Sequence, residues 1–279
     1  MGSLIRKIKL SYMFIHAFLI LYSVLSVLPF VYITLGSVKT NKEILSYSFG
    51  LPEKFIFSNF ADAWRAVNIG ILLKNSFVIS CICVVITIIL AIMLAYVIAR
   101  LNVRFNKIIL LFYLFGIMVP IPALMLPSYL IAKWTGTTNM LVSLLGPYIA
   151  LGMPISIYII VSFIRNTPKD MEESAIIDGC GIFGVILKVL VPVLKPALAT
   201  CAILAFLNNW NEFSLAVVLI SKASLRTLPV GMSSFNGMHS VNYAKMMAAM
   251  VIALAPVILV YSFLQENIIK GMTEGAVKG

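Results

Sequence analysis

The sequence predicts an all-α integral membrane protein with six transmembrane helices. Three observations lead there. Of the 279 residues, 61% are hydrophobic and only 11% charged, a balance that would leave a water-soluble fold with far too much apolar surface exposed. The apolar residues come in long runs, and a bilayer core about 30 Å thick requires roughly 20 such residues per helix, which leaves no room for a sizeable soluble domain. The net charge of +11 comes from 21 Lys and Arg scattered between those runs. Scattered cations flank membrane helices, whereas a nucleic-acid surface would gather them into a stripe.

The first run covers about Tyr12 to Leu35, behind the basic start Arg6, Lys7 and Lys9. It is too long for a signal-peptide core and lacks a small-residue cleavage site, so it is expected to be retained as the first span. A polar connection from Gly36 to roughly Gly70 follows, too long for a tight turn and too short for a domain. The second run, about Ser76 to Ile98, ends at the acid-free patch Arg100, Arg104 and Lys107. The third, Ile108 to about Ala132, contains Pro120, Pro122 and Pro127, which remove backbone donors and predict a bend. The fourth covers about Met140 to Ile164, the fifth Ala197 to Ile220 and the sixth Met246 to Leu264. The density of Lys and Arg at the N-terminus and at Arg100 to Lys107 places both termini and the Thr167–Pro192 segment in the cytoplasm. His16, His239 and the cysteines Cys81, Cys83, Cys180 and Cys201 show no metal-ligand spacing, and no metal site is expected.

Thr167–Pro192 holds four of the ten acidic residues: Asp170, Glu172, Glu173 and Asp178. Thr167 reads as an N-cap, Pro168 as the first helical residue and Asp170 as the partner in a capping box. Glu172 and Glu173 suit the positive end of a helix dipole, and Gly179 suits its termination. A short extramembrane helix follows. Its apolar residues Met171, Ala175, Ile176 and Ile177 suit burial in a partner's groove.

This segment resembles the EAA loop of ABC importer permeases. Glu173-Ser174-Ala175 stands for Glu-Ala-Ala, Gly179 comes four residues after Ala175, Val189 ten after Gly179, and Pro192 closes the pattern. Ser174, Val189 and Val191 depart from the family's usual residues while keeping similar shapes. Trp210-Asn211-Glu212-Phe213, Leu228-Pro229-Val230-Gly231 and the ending from Gly271 to Gly279 resemble the carbohydrate, maltose-type branch. Ser58-Asn59-Phe60 is a weaker echo of it.

The resemblance implies a type I ABC importer transmembrane domain. Residues 1–70 would hold the first span and first extracytoplasmic loop, 71–265 the core with a coupling helix at about 168–180, and 266–279 a cytoplasmic tail. It implies a non-catalytic permease subunit that works with a second permease, two ATPase subunits and an extracytoplasmic sugar-binding protein, moving a sugar, expected to be an oligosaccharide, across the cell membrane. Glu172, Glu173, Ser174, Ala175, Asp178, Gly179 and Pro192 are the expected ATPase-coupling residues, with Glu173 meeting a basic residue of the ATPase. The chain has no G-x-x-x-x-G-K-[ST] phosphate loop, so ATP and Mg are expected on the partner and no cofactor here. The last outer loop, about Lys222 to Asn242, is expected to meet the binding protein through Gly231, Ser233, Asn236 and Gly237 as a flexible probe. Within span five, Asn208, Asn209, Trp210, Asn211 and Glu212 combine amide, indole and carboxylate groups of the kinds that contact sugars. Helix-to-helix bonding is the other reading of that cluster. A non-sugar solute such as amino acids or peptides, and a stand-alone channel, are the alternative functions.

Overall fold

The structure is a computed structural model. It describes residues 2–47, 49–101, 104–235 and 242–276, with side chains described inside 12–263. All the regular elements among the described residues are helical. Four helices are long and apolar enough to cross a membrane, and the number rises to six if each of two bent helix pairs counts as one span. The chain forms two compact units, residues 1–69 with 234–254, and 70–233 with 255–279.

In the first unit, α1 (Gly2–Gly36) is exposed on this chain from Tyr12 to Phe30, as suits a helix surrounded by lipid. His16 sits on it and its ring Nδ1 lies 2.7 Å from the Tyr12 carbonyl. The polar connection then folds into two short helices. α2 (Asn41–Ser46) starts with a capping box: Thr40 Oγ1 accepts from the Glu43 amide at 3.1 Å, and the Thr40 amide donates back to Glu43 Oε2. The Thr40 amide, more than any other neighbour, holds the Glu43 carboxyl below the usual glutamate value. α3 (Ser58–Ala66) carries Asn59, whose buried amide donates to the carbonyls of Ser37 and Lys39 and so ties the loop back to the end of α1. The start of α14 (Tyr243–Ala276) completes this unit, with the Tyr243 amide donating to Asn41 Oδ1 at 2.8 Å and Lys245 paired to Asp62 at 3.0 Å.

The second unit is built on α4 (Ile69–Arg100) and α7 (Leu145–Asn166). Ala91, Ile92, Ala95 and Tyr96 of the first share one core with Ile157, Ile160 and Ile164 of the second, the spacing of a single buried stripe on each helix. Between them in sequence, α5 (Asn106–Gly116) and α6 (Ile121–Trp134) meet at 99°. Pro120 is extended there, and Pro122 starts α6 without a donor to give, so the predicted bend has its expected cause. After α7 come α8 (Asp170–Ile177), α9 (Ile182–Gly184), a π-helical turn at Val185–Leu190 and α10 (Val191–Val193). This stretch turns by 82° into α11 (Lys195–Asn211), with Pro196 in the first turn of the new helix.

Two expectations are corrected. The fifth run is not one helix: α11 stops at Asn211 and α12 (Ser214–Leu219) is separate. The sixth run agrees with the candidate span Tyr243–Phe263, and α14 continues beyond it as helix to Ala276. The second correction concerns the segment expected to be the last outer loop, which is pinned over the part described instead of forming a loose probe. Asn75 donates to the carbonyls of Ser224 and Arg226, both at 3.0 Å, and Ser76 Oγ accepts from the Leu228 amide at 2.7 Å. Gly231, in α13 (Leu228–Met232), is buried, and a Cβ there would run into the Leu72 side chain. Its glycine thus serves close packing, not flexibility.

Asn139 makes a further stitch. Its φ is +60°, its amide donates to the Leu219 carbonyl, and its Oδ1 accepts from the amides of Ser221 and Lys222 at 2.6 and 3.0 Å. Asparagine tolerates the left-handed region and supplies the acceptor in one residue. Asn139→Ala should therefore lower stability by about 1–3 kcal/mol, read as a lower thermal midpoint of the detergent-solubilised protein. Asn139→Asp should retain most of it, and an unchanged midpoint for the alanine variant would contradict this assignment.

Candidate coupling surface

α8 stands outside the long apolar helices, beside the π-helical turn that follows it. Its start differs from the sequence expectation. Thr167 ends α7 instead of capping α8: its hydroxyl donates to the Phe163 carbonyl at 3.0 Å, four residues back. With that oxygen turned to the preceding helix, α8 begins at Asp170 behind Lys169 with no side-chain cap, and the capping box does not form. Asp170, Glu172 and Glu173 still occupy the first turn, where their charges meet the positive end of the dipole. The far end closes as a Schellman motif. Gly179 adopts φ +85°, its amide donates to the Ile176 carbonyl at 3.0 Å, and the Cys180 amide donates to Ala175 at 2.9 Å. A side chain at Gly179 would be strained in that backbone conformation.

The residues of α8 divide by direction. Glu172 is 5% exposed and points inward. Arg100, the last residue of α4, donates from Nε to Glu172 Oε1 at 2.6 Å, and both side chains are 7% exposed. The same guanidinium donates from Nη2 to the Thr167 carbonyl at 2.7 Å. One cation therefore joins the end of α4, the end of α7 and the first turn of α8, and it neutralises the carboxylate that burial would otherwise penalise. Arg100 was visible in the sequence only as one of a basic patch, with no sign of its distant partner. Glu173, Ser174 and Asp178 are exposed, Ala175 is half-buried, and Met171, Ile176 and Ile177 are 45%, 56% and 85% exposed. Pro192 is exposed on α10. The exposed residues of α8 thus combine the acids Asp170 and Glu173 with the apolar side chains of Met171, Ile176 and Ile177.

The span-five cluster separates in the same way. Glu212 is buried just before α12, and its carboxylate accepts from the amides of Leu215 (2.6 Å) and Ala216 (3.0 Å) and from the Tyr148 hydroxyl (3.0 Å). It satisfies the orphan donors that begin a short helix in an apolar setting, so its carboxylate is engaged within the chain. Trp210 is buried and stacked on Phe206 with ring centroids 5.5 Å apart. Asn209 is buried as well. Asn208 and Asn211 are the cluster members left exposed. Of the outer-loop residues, Gly231 is buried in α13, and Ser233 is exposed with its hydroxyl donating to the Val230 carbonyl. Asn236, Gly237 and His239 lie outside the described residues.

Comparison with known proteins bears on this arrangement. Residues 87–274, which include α8 and its Arg100 anchor, match the family described as binding-protein-dependent transport system inner membrane component. The chain is 34% identical over 263 residues to a putative ABC transporter permease, ORF2, of a Caldicellulosiruptor species, covering 94% of this chain and 95% of that one. It is 32% identical over 265 residues to NgcG, a diacetylchitobiose uptake system permease of Streptomyces coelicolor, covering 94% and 88%. The fold superposes with a TM-score of 0.79 and 21% identity on a chain of a bacterial ABC transporter involved in import of the acidic polysaccharide alginate, covering 92% of this chain and 96% of that one. The membrane helices, the short helix anchored between them and the match over most of the second unit lead to one conclusion: the chain belongs to the binding-protein-dependent transport system inner membrane component family.

Proposed function

We propose that this chain is the permease subunit of an ATP-driven ABC importer and forms, with a second permease, a pathway for a sugar of oligosaccharide size. The observation that carries the reading is α8, a short helix with an exposed acidic and apolar face and a buried ion pair to the end of a membrane helix. The sugar assignment is supported by the relative that takes up diacetylchitobiose and by the Trp210-Asn211-Glu212-Phe213 sequence. The chain is a non-catalytic subunit with both termini in the cytoplasm. ATP and Mg belong to two ATPase partners, and the family's dependence on binding proteins supplies the extracytoplasmic donor of the sugar.

In this mechanism Met171, Ile176 and Ile177 enter an apolar cleft of the ATPase, Glu173 meets a basic residue beside it, and Gly179 lets the chain turn sharply away. Closure of the ATPase dimer around ATP displaces α8. Because Arg100 grips Glu172 and the Thr167 carbonyl together, the displacement passes directly to the ends of α4 and α7. On the opposite side, Ser233 and the exposed residues Ser221 to Ser224 face the binding protein. The exposed Asn208 side chain and the Oδ1 of Asn211, whose Nδ2 donates to the Leu207 carbonyl at 2.9 Å, are the amide groups left for the passing hydroxyls.

Two outcomes test this. Glu173→Lys should leave the permease inserted and lower ATP-driven sugar uptake on the order of tenfold or more, as reversal of one partner in an interface charge pair does. Uptake at the wild-type rate would remove the coupling role from α8. Separately, Arg100→Met and Glu172→Gln should each destabilise the chain by about 3–5 kcal/mol by leaving a buried partner unpaired, while the double variant loses less than the sum. Sugar imported per ATP hydrolysed should fall in each single variant, a readout that a purely structural pair would not move.

A further inference from the structure

Five cations line one cavity of about 550 Å³ where the ends of α4 and α7 meet the start of α5: Arg100, Arg104, Lys107, Arg165 and Lys169. Arg100 is committed to Glu172. The other four make no ion pair among the described residues. Like charges crowded around one space repel one another unless an anion sits among them.

The setting of the cavity narrows the choice of anion. α4 has just ended at Arg100 after a long apolar run, and α5 becomes apolar one residue after Lys107. Ile108, Phe112 and Phe115 are 61%, 72% and 64% exposed, and their spacing puts them on one side of the helix. The cavity therefore lies where polar chain meets apolar chain, with an exposed apolar stripe leading away from it. A free anion would use the cations and have no use for the stripe. A phospholipid uses both, with its phosphate among the cations and an acyl chain along α5.

We propose that this cavity binds the headgroup of an anionic phospholipid, held by Arg104, Lys107, Arg165 and Lys169, with its acyl chain on Ile108, Phe112 and Phe115. The inference rests on α4 and α5 lying in the bilayer and not on the coupling role of α8. Lipid binding and ATPase coupling can therefore fail separately.

The test is retention of lipid by the full-length permease purified in detergent, measured by native mass spectrometry after exposure to phosphatidylglycerol, phosphatidylcholine or inorganic phosphate. Phosphatidylglycerol should be retained in preference to phosphatidylcholine, and inorganic phosphate should not displace it. Each neutralised cation should weaken retention about fivefold, so Arg104→Gln/Lys107→Gln/Arg165→Gln should weaken it on the order of 100-fold. Arg104→Lys/Arg165→Lys should retain most of the binding. The single Lys107→Gln variant, expected to weaken retention about fivefold, keeps the test readable if the triple variant does not insert. Equal retention of the two lipids, or retention unchanged by Lys107→Gln, would overturn the proposal. Displacement by inorganic phosphate would make the cavity a site for the free ion instead.

Discussion

A buried charge must be paired, and in this chain the pairing decides where α8 sits. The Glu172 carboxylate and the Arg100 guanidinium are 2.6 Å apart and almost wholly covered. Leaving either one unpaired at that depth costs several kcal/mol. The guanidinium is planar and forked, and its second arm reaches the Thr167 carbonyl at the end of α7. A lysine, with a single ammonium, would not present the same fork. α8 is eight residues long, too short to hold itself as a helix in water. Its dipole acids, its Schellman end and this single cation hold it in place. In the proposed importer the same bond decides what moves, because a push on α8 that leaves the pair intact must carry two membrane helices with it.

The rest of the second unit solves the membrane's other demand, that every backbone group find a partner. Proline breaks the apolar runs at Pro120, Pro122 and Pro196, and each break is a place where donors are missing. At the gap between α11 and α12 a carboxylate fills the need: Glu212 takes two amides and a tyrosine hydroxyl. Asparagine does similar work elsewhere. Asn59 and Asn75 each donate to two carbonyls and Asn139 Oδ1 accepts from two amides, so each joins segments distant in sequence.

Much of this was legible in the sequence, and the boundary of legibility has a physical cause. Features set by neighbours along the chain read well: the apolar runs, the proline bend between α5 and α6, the acids in the first turn of α8, and Gly179 at its end. Features set by a partner far along the chain did not. Thr167 has the chemistry of an N-cap, and only the geometry shows that the Phe163 carbonyl takes its hydroxyl first. Glu172 and Glu173 are adjacent and identical in type, yet Arg100, 72 positions away, turns one inward and leaves the other out. Glu212 shows the same limit. An acid in an apolar run suggests function, and here two backbone amides and Tyr148 occupy it. Gly231 suggested flexibility in an outer loop, whereas it packs closely against Leu72, which would have to shift to admit a side chain there.

In the proposed importer α8 and α4 move as one body because Arg100 binds them together. The direct measurement is the distance between spin labels at Asp170 on α8 and Leu90 on α4, in an otherwise cysteine-free chain assembled with its ATPase partners, without nucleotide and with ATP trapped. One narrow distance, the same in both states, is expected. A distance that shifts or broadens when ATP binds would show instead that α8 slides on its anchor.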